Sequence, residues 1–493
     1  MVTPADSSDT LITTPSPIHI PQLPPNSTTI PMEVELPSPT ESPPPVVPKL
    51  LREASDITWL ESLESKKGQV VLVRRRGRYR LLYQQQFKNS LLASVGYLEL
   101  ANAGDFAANV WNEIPVPKFA AVLMGIGGTL ALGMLLVVIY DFRLSWTNVK
   151  LLRAERDHLQ RLRQYHDKNA ELVQLIDSRL GVGVREIGTE VIDRIVMDVL
   201  MGFGSLLVGV GTLMAIGGAN PHVYKASNLL SGYIGNSLAA IFGLVNAIWS
   251  GYLLYRFHMH DAAAFAREPS DDIRRRLHTR VRRFQWHAGM NGLNGLVAGA
   301  ASMATAERWW GYVVLIPCII SLVMCNYFWR RKLGYDRPLL GHASPTEIQV
   351  TPLIEDLQYV IVMQRTLADP ERSLPLAIIQ PDSLDSIFQF IVRENMLVTY
   401  CESLARDKST RHLLAAFPSS NTSPDQITIS LDALFRLPPS HLDLILEHAK
   451  QFLQTTGVRV FTNRERYLLE LLGYAVCQDH KRAPTTLDTI EHT

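Results

Sequence analysis

The apolar positions of this 493-residue chain are concentrated in five long windows that contain no charged residue and no histidine. Each window holds about 20 residues, and at a rise of about 1.5 Å per residue such a helix crosses the roughly 30 Å hydrocarbon core of a bilayer. Because the backbone in lipid must satisfy its own hydrogen bonds, each window predicts a transmembrane helix. The windows are Phe119–Tyr140, Val199–Gly218, Leu230–Tyr252, Ala288–Ala306 and Gly311–Trp329.

Basic residues divide the loops between these windows into two kinds. The segments 141–194 and 255–287 hold ten and eight Lys plus Arg residues, whereas the two other loops hold one each, Lys225 and Arg308. Since basic loops are retained on the cytosolic side of a membrane, the rich segments and the C-terminus are expected in the cytosol. Six spans would place the N-terminus there as well, and five would not, so we expect five or six spans arranged as hairpins.

The candidate for the sixth span is Asn89–Val110, which carries a polar stripe. The spacings of three, three and four residues place the stripe on one arc of a helix. Such a helix can span a membrane if the stripe faces protein or a wet cavity, or it can lie on the membrane surface. The stripe consists of Glu99, Asn102, Asp105 and Asn109.

Two hypotheses follow for the stripe. It lines a polar path for transport or for a proton relay, or it belongs to a structural hydrogen-bond network that holds the bundle together. In either case the acids need partners, and asparagines in the apolar windows are candidates to supply them. These are Asn236, Asn246, Asn291 and Asn294.

The pattern predicts an all-α polytopic membrane bundle with a disordered N-terminal tail, a cytosolic heptad helix and a C-terminal cytosolic domain. That domain is expected to be α/β or mostly helical, with short strands at Gln426–Ser430 and Arg459–Phe461. The predicted segments begin with a tail at 1–48 and a basic cytosolic segment at 49–88. Three transmembrane hairpins follow, at 89–140 (made of 89–110 and 119–140), 195–255 and 288–329. A cytosolic helix at 141–194 and a basic loop at 256–287 connect the hairpins, and the C-terminal domain is 330–493.

The cytosolic helix carries an apolar heptad seam typical of a coiled coil. We expect the seam to pack on the protein's own cytosolic part or to pair two copies of the chain. Residues 149–180 and 333–493 are thus the candidate surfaces for a homo-oligomer or a cytosolic protein partner. The seam residues are Leu152, Leu159, Leu162, Val173, Ile176 and Leu180.

The two ends of the N-terminal region differ in composition. Residues 1–48 hold 13 of the 29 prolines, which predicts disorder, and Asn26 is a glycosylation acceptor only if the tail is lumenal. Further along, the strand Gln69–Val73 precedes the basic run Arg74–Arg80. That run is expected to face anionic lipid or to form a solvated hairpin loop.

Small residues within the windows predict close helix packing. Gly295 and Gly299 form a GxxxG pattern, which allows two helix backbones to approach closely in lipid. Packing within the bundle is the main interpretation of the pattern, and oligomerisation is the alternative.

The chain lacks the motifs of the common enzyme classes. A net charge of +1 gives no field for nucleic acid, and the four cysteines form no CxxC pair. His258 and His260 are two residues apart and would point to different sides of a helix, so they do not predict a metal site. We find no phosphate loop and no nucleophile elbow, and we therefore assign no catalytic, cofactor-binding or metal-binding residue.

One stretch carries a resemblance. The residues SVGYLELANAGDFAANVWNEIP, from Ser94 to Pro115, resemble a segment of uncharacterised integral membrane proteins of filamentous fungi. The resemblance extends roughly from Gln69 to Arg337. It implies a membrane protein from a fungus and carries over no activity.

These observations favour a non-enzymatic membrane anchor or scaffold with cytosolic interaction domains. The first alternative is a small-molecule or ion transporter or channel that uses the polar stripe. The second is an accessory membrane protein of a fungal metabolic pathway. The lipid bilayer is the partner common to all three.

Overall fold

The computed structural model describes residues 69–82, 84, 86–111, 115–265, 271–340, 353–369, 380, 383–417, 419–420 and 423–482. The predicted disordered tail at 1–48 and the acceptor Asn26 lie outside these residues.

Five long helices form a bundle, and three of them include wide π-type turns. Of these five helices, α1, α2, α3 and α5 are long and apolar enough to cross a membrane. The fifth, α4, contains the window Ala288–Ala306 but is not apolar enough by the same measure. The bounds are α1 Lys118–Tyr165; α2 Ala170–Gly188, Thr189–Val196 and Met197–Ala215; α3 Pro221–Asn228, Leu229–Gly235 and Asn236–Phe265; α4 Asp271–Thr305; and α5 Gly311–Phe328 with Trp329–Leu333.

The outward faces of the bundle are apolar. A soluble protein rarely exposes a contiguous patch of this kind, because water around it is unfavourable, whereas lipid tails suit it. This surface is compatible with a membrane protein. Strongly exposed members include Val122, Ile126, Leu136, Ile248, Val313 and Met324.

The predicted heptad helix is two helices that fold back on each other. α1 ends at Tyr165, and the Asn169 side chain caps α2 by accepting a hydrogen bond from the Leu172 amide at 3.2 Å. Asparagine favours this cap position because its side chain satisfies a free amide of the first helical turn. The turn brings the two halves of the seam into contact within one chain. The resulting apolar cluster contains Leu159, Leu162, Leu172 and Ile176.

Glycine allows the close approach of neighbouring helices. A Cβ atom at Gly299 would lie 2.8 Å from Ala240 Cα, and one at Gly295 would lie 3.3 Å from the Gly243 carbonyl oxygen. The GxxxG pair of α4 therefore faces α3. Small residues at this contact let the two backbones pack without intervening side chains.

The predicted sixth span is a chain of short turns and not one continuous helix. We call it the broken segment. It lies alongside α1 with the opposite direction, since Val95 and Leu98 contact Val138, and Ala107 packs near Ala120. Its pieces are Ala93–Tyr97, Leu98–Asn102, Ala103–Asp105 and Phe106–Val110.

A four-stranded sheet joins the two flanks of the bundle. β1 (Gln69–Arg75) pairs antiparallel with both β2 (Arg78–Leu81) and β6 (Ser423–Ser430). The strand order is β2-β1-β6-β5, where β5 is Ser419–Ser420. The basic run is thus a hairpin, and its turn residues Arg76 and Gly77 have φ of 50° and 74°, as a tight two-residue turn requires.

A short second sheet lies next to the bundle. It pairs β3 (Gln86–Phe87) with β4 (Arg337–Pro338), directly before and after the bundle in sequence. The segments predicted separately at 49–88 and 330–493 therefore contribute to shared sheets. In addition, the strand predicted at Arg459–Phe461 is wrong, because these residues lie in a helix that begins at Val458.

The sheet of β1, β2, β5 and β6 and six helices form what we call the mixed domain. Its core is continuous with the bundle, because one buried cluster includes Leu72 of β1, Tyr400 of the domain, and Phe257 and Phe284 of α3 and α4. The helices are α6 Leu353–Ala368, α7 Leu384–Arg393, α8 Leu397–Arg406, α9 Leu431–Phe435, α10 Pro439–Phe452 and α11 Val458–Arg482.

Candidate functional site

The stripe residue Asp105 is fully buried and lies at the centre of a polar cluster whose other members are buried or, in the case of Asn109, half-buried. The Tyr312 hydroxyl donates a hydrogen bond to Asp105 Oδ1 at 2.7 Å, and the Asn109 amide donates to Oδ2 at 3.0 Å. The Asn236 amide nitrogen lies 3.4 Å from Asp105 Oδ2 and 3.3 Å from Thr305 Oγ1. We call these five residues the stripe cluster; they come from the broken segment, α3, α4 and α5.

Tight backbone packing positions Asp105. The turn Ala103–Asp105 lies directly on α1, where a Cβ atom at Gly127 would be 2.2 Å from the Gly104 carbonyl oxygen. The next residue, Phe106, places its ring edge against Tyr312 at a centroid distance of 4.9 Å. The absence of side chains on both glycines thus allows the segment to approach α1 and to present Asp105 to the other helices.

The structure brings some members of the predicted stripe together. Asp105 and Asn109 are hydrogen-bonded to each other. Glu99 is buried at 7 % exposure on the preceding short helix, and for Asn102 the structure describes the backbone alone. The stripe is therefore a functional hypothesis that rests chiefly on Asp105 and Asn109.

One of the four asparagines named as partners, Asn236, donates to Asp105 in the described structure. Asn246 and Asn291 bond to each other across α3 and α4, with the Asn291 amide 3.0 Å from Asn246 Oδ1. Asn294 donates to the Ser321 hydroxyl at 2.6 Å, which ties α4 to α5. These bonds connect helices at three places along the bundle.

The stripe cluster contains oxygen and amide groups and no basic side chain among its described members. Asp105 accepts hydrogen bonds from three neutral donors, which stabilise the charged carboxylate in part. Within the described residues, Asn236 Oδ1 and the neighbouring Ser302 hydroxyl have no hydrogen-bond partner. An oxygen-rich group of this kind has the chemistry to hold a proton or a hard cation.

A second buried cluster lies near the end of the bundle that carries the mixed domain. Arg194 of α2 forms a bidentate ion pair with Asp141 of α1, with nitrogen–oxygen distances of 2.7 and 3.1 Å. The same guanidinium donates to Glu190 at 2.9 Å and to the Ser90 hydroxyl at 2.9 Å. All three charged side chains are buried.

Neutral donors complete this second cluster. The Ser145 hydroxyl donates to Glu190 Oε2 at 2.7 Å, and the Asn148 amide donates to Oε1 at 3.2 Å. Asp198 is also buried and has Asp141, Arg194 and Glu190 as its charged neighbours. We call Asp141, Glu190, Arg194 and Asp198, with their donors, the Arg194 cluster.

The sequence contains a signal for the Arg194 cluster that our prediction did not use. Glu190, Arg194 and Asp198 are spaced four residues apart, so they share one face of α2 directly before the apolar window Val199–Gly218. A charged face that adjoins a membrane window indicates buried partners. In that prediction, Arg194 is only one of the ten basic residues of 141–194 that indicate the topology.

A third group of charges lies where the mixed domain meets the bundle. Arg185 of α2 forms a bidentate ion pair with Glu470 of α11 at 2.7 and 2.8 Å, and it donates to the Tyr335 hydroxyl at 2.7 Å. Tyr335 in turn donates to Glu186 at 2.8 Å. Arg280 of α4 approaches Glu470 at 3.4 Å.

Arg337 of β4 completes this group. It makes two bonds to Glu155 of α1 at 2.8 and 2.6 Å and two to Glu186 at 3.0 and 2.6 Å. Burial opposes the charge of Arg337, but the two glutamates outweigh this effect and hold its pKa well above the ordinary value. The three arginines and three glutamates, with Tyr335, are called the junction network.

Burial acts differently on the third arginine of this network. It lowers the pKa of Arg280 to about 10, although Glu470 and Tyr335 counteract the effect. Burial also raises the pKa of Tyr335 well above its ordinary value, so the phenol stays neutral and donates its proton in hydrogen bonds. The network therefore has matched charges, which lets it be buried between two parts of the protein.

No family model, curated protein or solved structure matches the chain. The resemblance to fungal integral membrane proteins therefore stays a prediction. Within the described residues, no group of three or more His, Cys, Asp and Glu side chains is placed to hold a metal ion.

Proposed function

We propose that this protein is a non-enzymatic membrane anchor that holds the mixed domain in a fixed position at the bilayer surface. The observation that carries the proposal is the junction network, which connects α1, α2 and α4 of the bundle with β4 and α11 through buried ion pairs. A domain on a flexible tether would need no such connection. A fixed position suits a scaffold that presents a binding surface to cytosolic proteins.

The proposal includes six membrane crossings, with the broken segment as the first. The Lys88 carbonyl accepts from Asn148 of α1, and the Trp111 ring lies 5.4 Å from the ring of Phe119. Between these contacts α1 advances 29 residues, from 119 to 148, which is about 43 Å of helix. This exceeds the roughly 30 Å hydrocarbon core. Six crossings put both flanks of the bundle on one side, as the β1–β6 pairing requires.

The anchor function is tested by comparing partner binding in two variants of the tagged full-length protein. Arg337→Gln disrupts the junction network, and Arg163→Gln removes an exposed ion pair as the matched control. The proposal expects cytosolic proteins to co-purify with the wild type and the control from detergent extracts and to be lost with Arg337→Gln, while all three remain in the membrane fraction. Undiminished recovery with Arg337→Gln contradicts it.

The stripe cluster supports a second candidate function, transport of a proton or a small cation. Asp105 is buried in a stretch of short turns, and interrupted helices at membrane depth are the usual setting of transport sites. Liposomes that contain the purified protein test this candidate. A proton or cation flux that Asp105→Asn abolishes and the exposed control Asp157→Asn preserves would establish transport and overturn the anchor proposal. The role as an accessory protein of a fungal pathway stays a prediction.

A further inference from the structure

We propose that Asp198 binds a proton in the folded protein at neutral pH, which makes the Arg194 cluster a proton-binding site next to the mixed domain. A hydronium ion of the water next to the mixed domain supplies the proton: one of its O–H bonds breaks, an O–H bond to one carboxylate oxygen of Asp198 forms, and a water molecule is left. The inference is independent of the anchor proposal. It rests on charge balance and on the hydrogen bonds of the described residues.

The first step is the charge balance of the cluster. Asp141, Glu190 and Asp198 supply three carboxylates, and Arg194 supplies one guanidinium. If all four were ionised, the cluster would carry two uncompensated negative charges. Burial of an unpaired ion costs several kcal/mol, so a net charge of this size is strongly unfavourable.

The second step shows which carboxylate lacks compensation. Four of the five N–H groups of Arg194 are directed at Asp141, Glu190 and Ser90. Glu190 accepts further bonds from Ser145 and Asn148, as described above. Asp141 and Glu190 therefore have the donors that stabilise a carboxylate anion.

Asp198 has no such donors. It is 1 % exposed, and neither of its carboxylate oxygens has a hydrogen-bond partner in the described part of the chain. Its charged neighbours are Asp141 on α1 and Glu190 and Arg194 on its own helix, so repulsion comes from two acids and attraction from one base. Protonation removes both the repulsion and the cost of an unsolvated anion, which makes Asp198 the acid that holds the proton.

A metal ion is the competing occupant, and the geometry favours the proton. A hard divalent cation takes six or more oxygen ligands, including several carboxylates. Here Arg194 donates to both oxygens of Asp141 and to Oε2 of Glu190, and the acids of the described residues are not placed to hold a metal ion. A proton requires a single oxygen.

The direct test is infrared spectroscopy of the full-length protein in nanodiscs at neutral pH. The carbonyl stretch of a protonated carboxylic acid is separate from that of a carboxylate. Asp198→Asn should remove the band of one protonated acid, whereas Asp157→Asn, which changes an exposed aspartate on α1, should leave the spectrum unchanged. An unchanged band in folded Asp198→Asn overturns the proposal.

The second test uses pH-dependent thermal unfolding of the same proteins. The unfolded chain releases the proton of Asp198, whereas the folded protein keeps it. The contribution of Asp198 should therefore lower the stability of the wild type as the pH rises from about 5 to about 7.5. Asp198→Asn lacks that loss, so its midpoint temperature should exceed that of the wild type by an amount that grows with pH. A difference that does not change with pH contradicts the proposal.

Two further outcomes are also decisive. Asparagine has the shape and neutrality of protonated aspartate, so the proposal requires Asp198→Asn to fold. If this variant fails to fold while Asp157→Asn folds, the proposal is refuted. A wild-type midpoint that rises with added Mg²⁺ or Ca²⁺ and that Asp198→Asn makes insensitive to both ions would identify a metal site instead.

Discussion

Two arginines of this protein form ion pairs in very different surroundings, and they show why burial decides what a charge contributes. Arg337 has a side-chain exposure of 5 % and is bonded to two buried glutamates, whereas Arg163 has an exposure of 48 % and pairs with Asp177. Water competes with the second pair and screens it. Water is excluded from the first, so the loss of Arg337 would leave the buried carboxylates of Glu155 and Glu186 without their cationic partner.

We predict that Arg337→Gln lowers the free energy of unfolding of the protein by about 3–5 kcal/mol, which is typical when one partner of a buried pair is removed. Arg163→Gln should lower it by no more than about 1 kcal/mol. Chemical denaturation of the detergent-solubilised protein, followed by the tryptophan signal, measures both values. Similar losses for the two variants would show that the junction network is not buried in solution.

A second prediction concerns the hydrogen bonds of Asp105. Asp105→Ala removes the acceptor to which the buried Tyr312 hydroxyl donates, at a cost of about 1–3 kcal/mol, and it also removes one acceptor of the half-buried Asn109 amide. Asp105→Asn keeps one acceptor oxygen for the Tyr312 hydroxyl and should be milder. Thermal unfolding in detergent ranks the variants. Equal midpoints for wild type and Asp105→Ala would exclude a structural role for the stripe cluster.

At the residue scale, the sequence identified a polar candidate where an ionisable residue interrupts an apolar stretch. Asp105 was identified in this way, because acids are rare in membrane-spanning segments. Arg185 and Arg194 lie in a long basic segment, where their charges matched the topology rule and needed no other explanation. Each also pairs with an acid that is distant in sequence, Glu470 for Arg185 and Asp141 for Arg194, and spacing gives no information about those two partners.

At the scale of elements, the contact between the broken segment and α1 can be tested with two glycines of one helix. A Cβ atom at Gly127 would clash with the Gly104 carbonyl oxygen, whereas one at Gly133 would meet nothing within 4 Å. We predict that Gly127→Ala lowers the unfolding midpoint and that Gly133→Ala leaves it unchanged or raises it slightly, since alanine favours helix. If Gly127→Ala is as stable as Gly133→Ala, the broken segment does not lie against α1.

The turn between α1 and α2 allows a further prediction. Asn169→Ala removes the side chain that caps α2 and should cost about 1 kcal/mol, seen as a lower unfolding midpoint. His166→Ala, three residues before Asn169, changes the same turn without removing the cap. A smaller effect of Asn169→Ala than of His166→Ala would contradict the observed helix start.

Apolar periodicity predicted the elements that depend on local composition, and it missed those that depend on distant contacts. Every apolar window lies in a long helix, apart from at most three residues at its end, because an uncharged stretch of that length satisfies its own backbone. The interruption of Asn89–Val110 was missed because it depends on the approach of Gly104 to Gly127. The heptad seam was identified, but its two halves face each other because a capped turn separates them.

At the scale of the whole molecule, the main feature absent from our sequence prediction is the strand pairing between the two flanks of the bundle. Strand β1 precedes the bundle in sequence. Strand β6 begins at Ser423, about 90 residues after the bundle ends at Leu333. Their alternating apolar residues, Leu72 and Ile427 among them, form one buried face. Pattern alone predicted the strands at 69–73 and 426–430 but gave no information about their pairing.

The central claim is that both flanks of the bundle lie on one side of a membrane and form one body there. Single cysteines at Arg78 and Lys408 would report the flanks, and single cysteines at His222 and Arg308 would report the connections α2–α3 and α4–α5; all four positions are exposed. The measurement is labelling of these cysteines by a membrane-impermeant maleimide in sealed vesicles, before and after permeabilisation. We predict that the first two positions are labelled from one side and the last two from the other. Labelling of Arg78→Cys and Lys408→Cys from opposite sides would contradict the account.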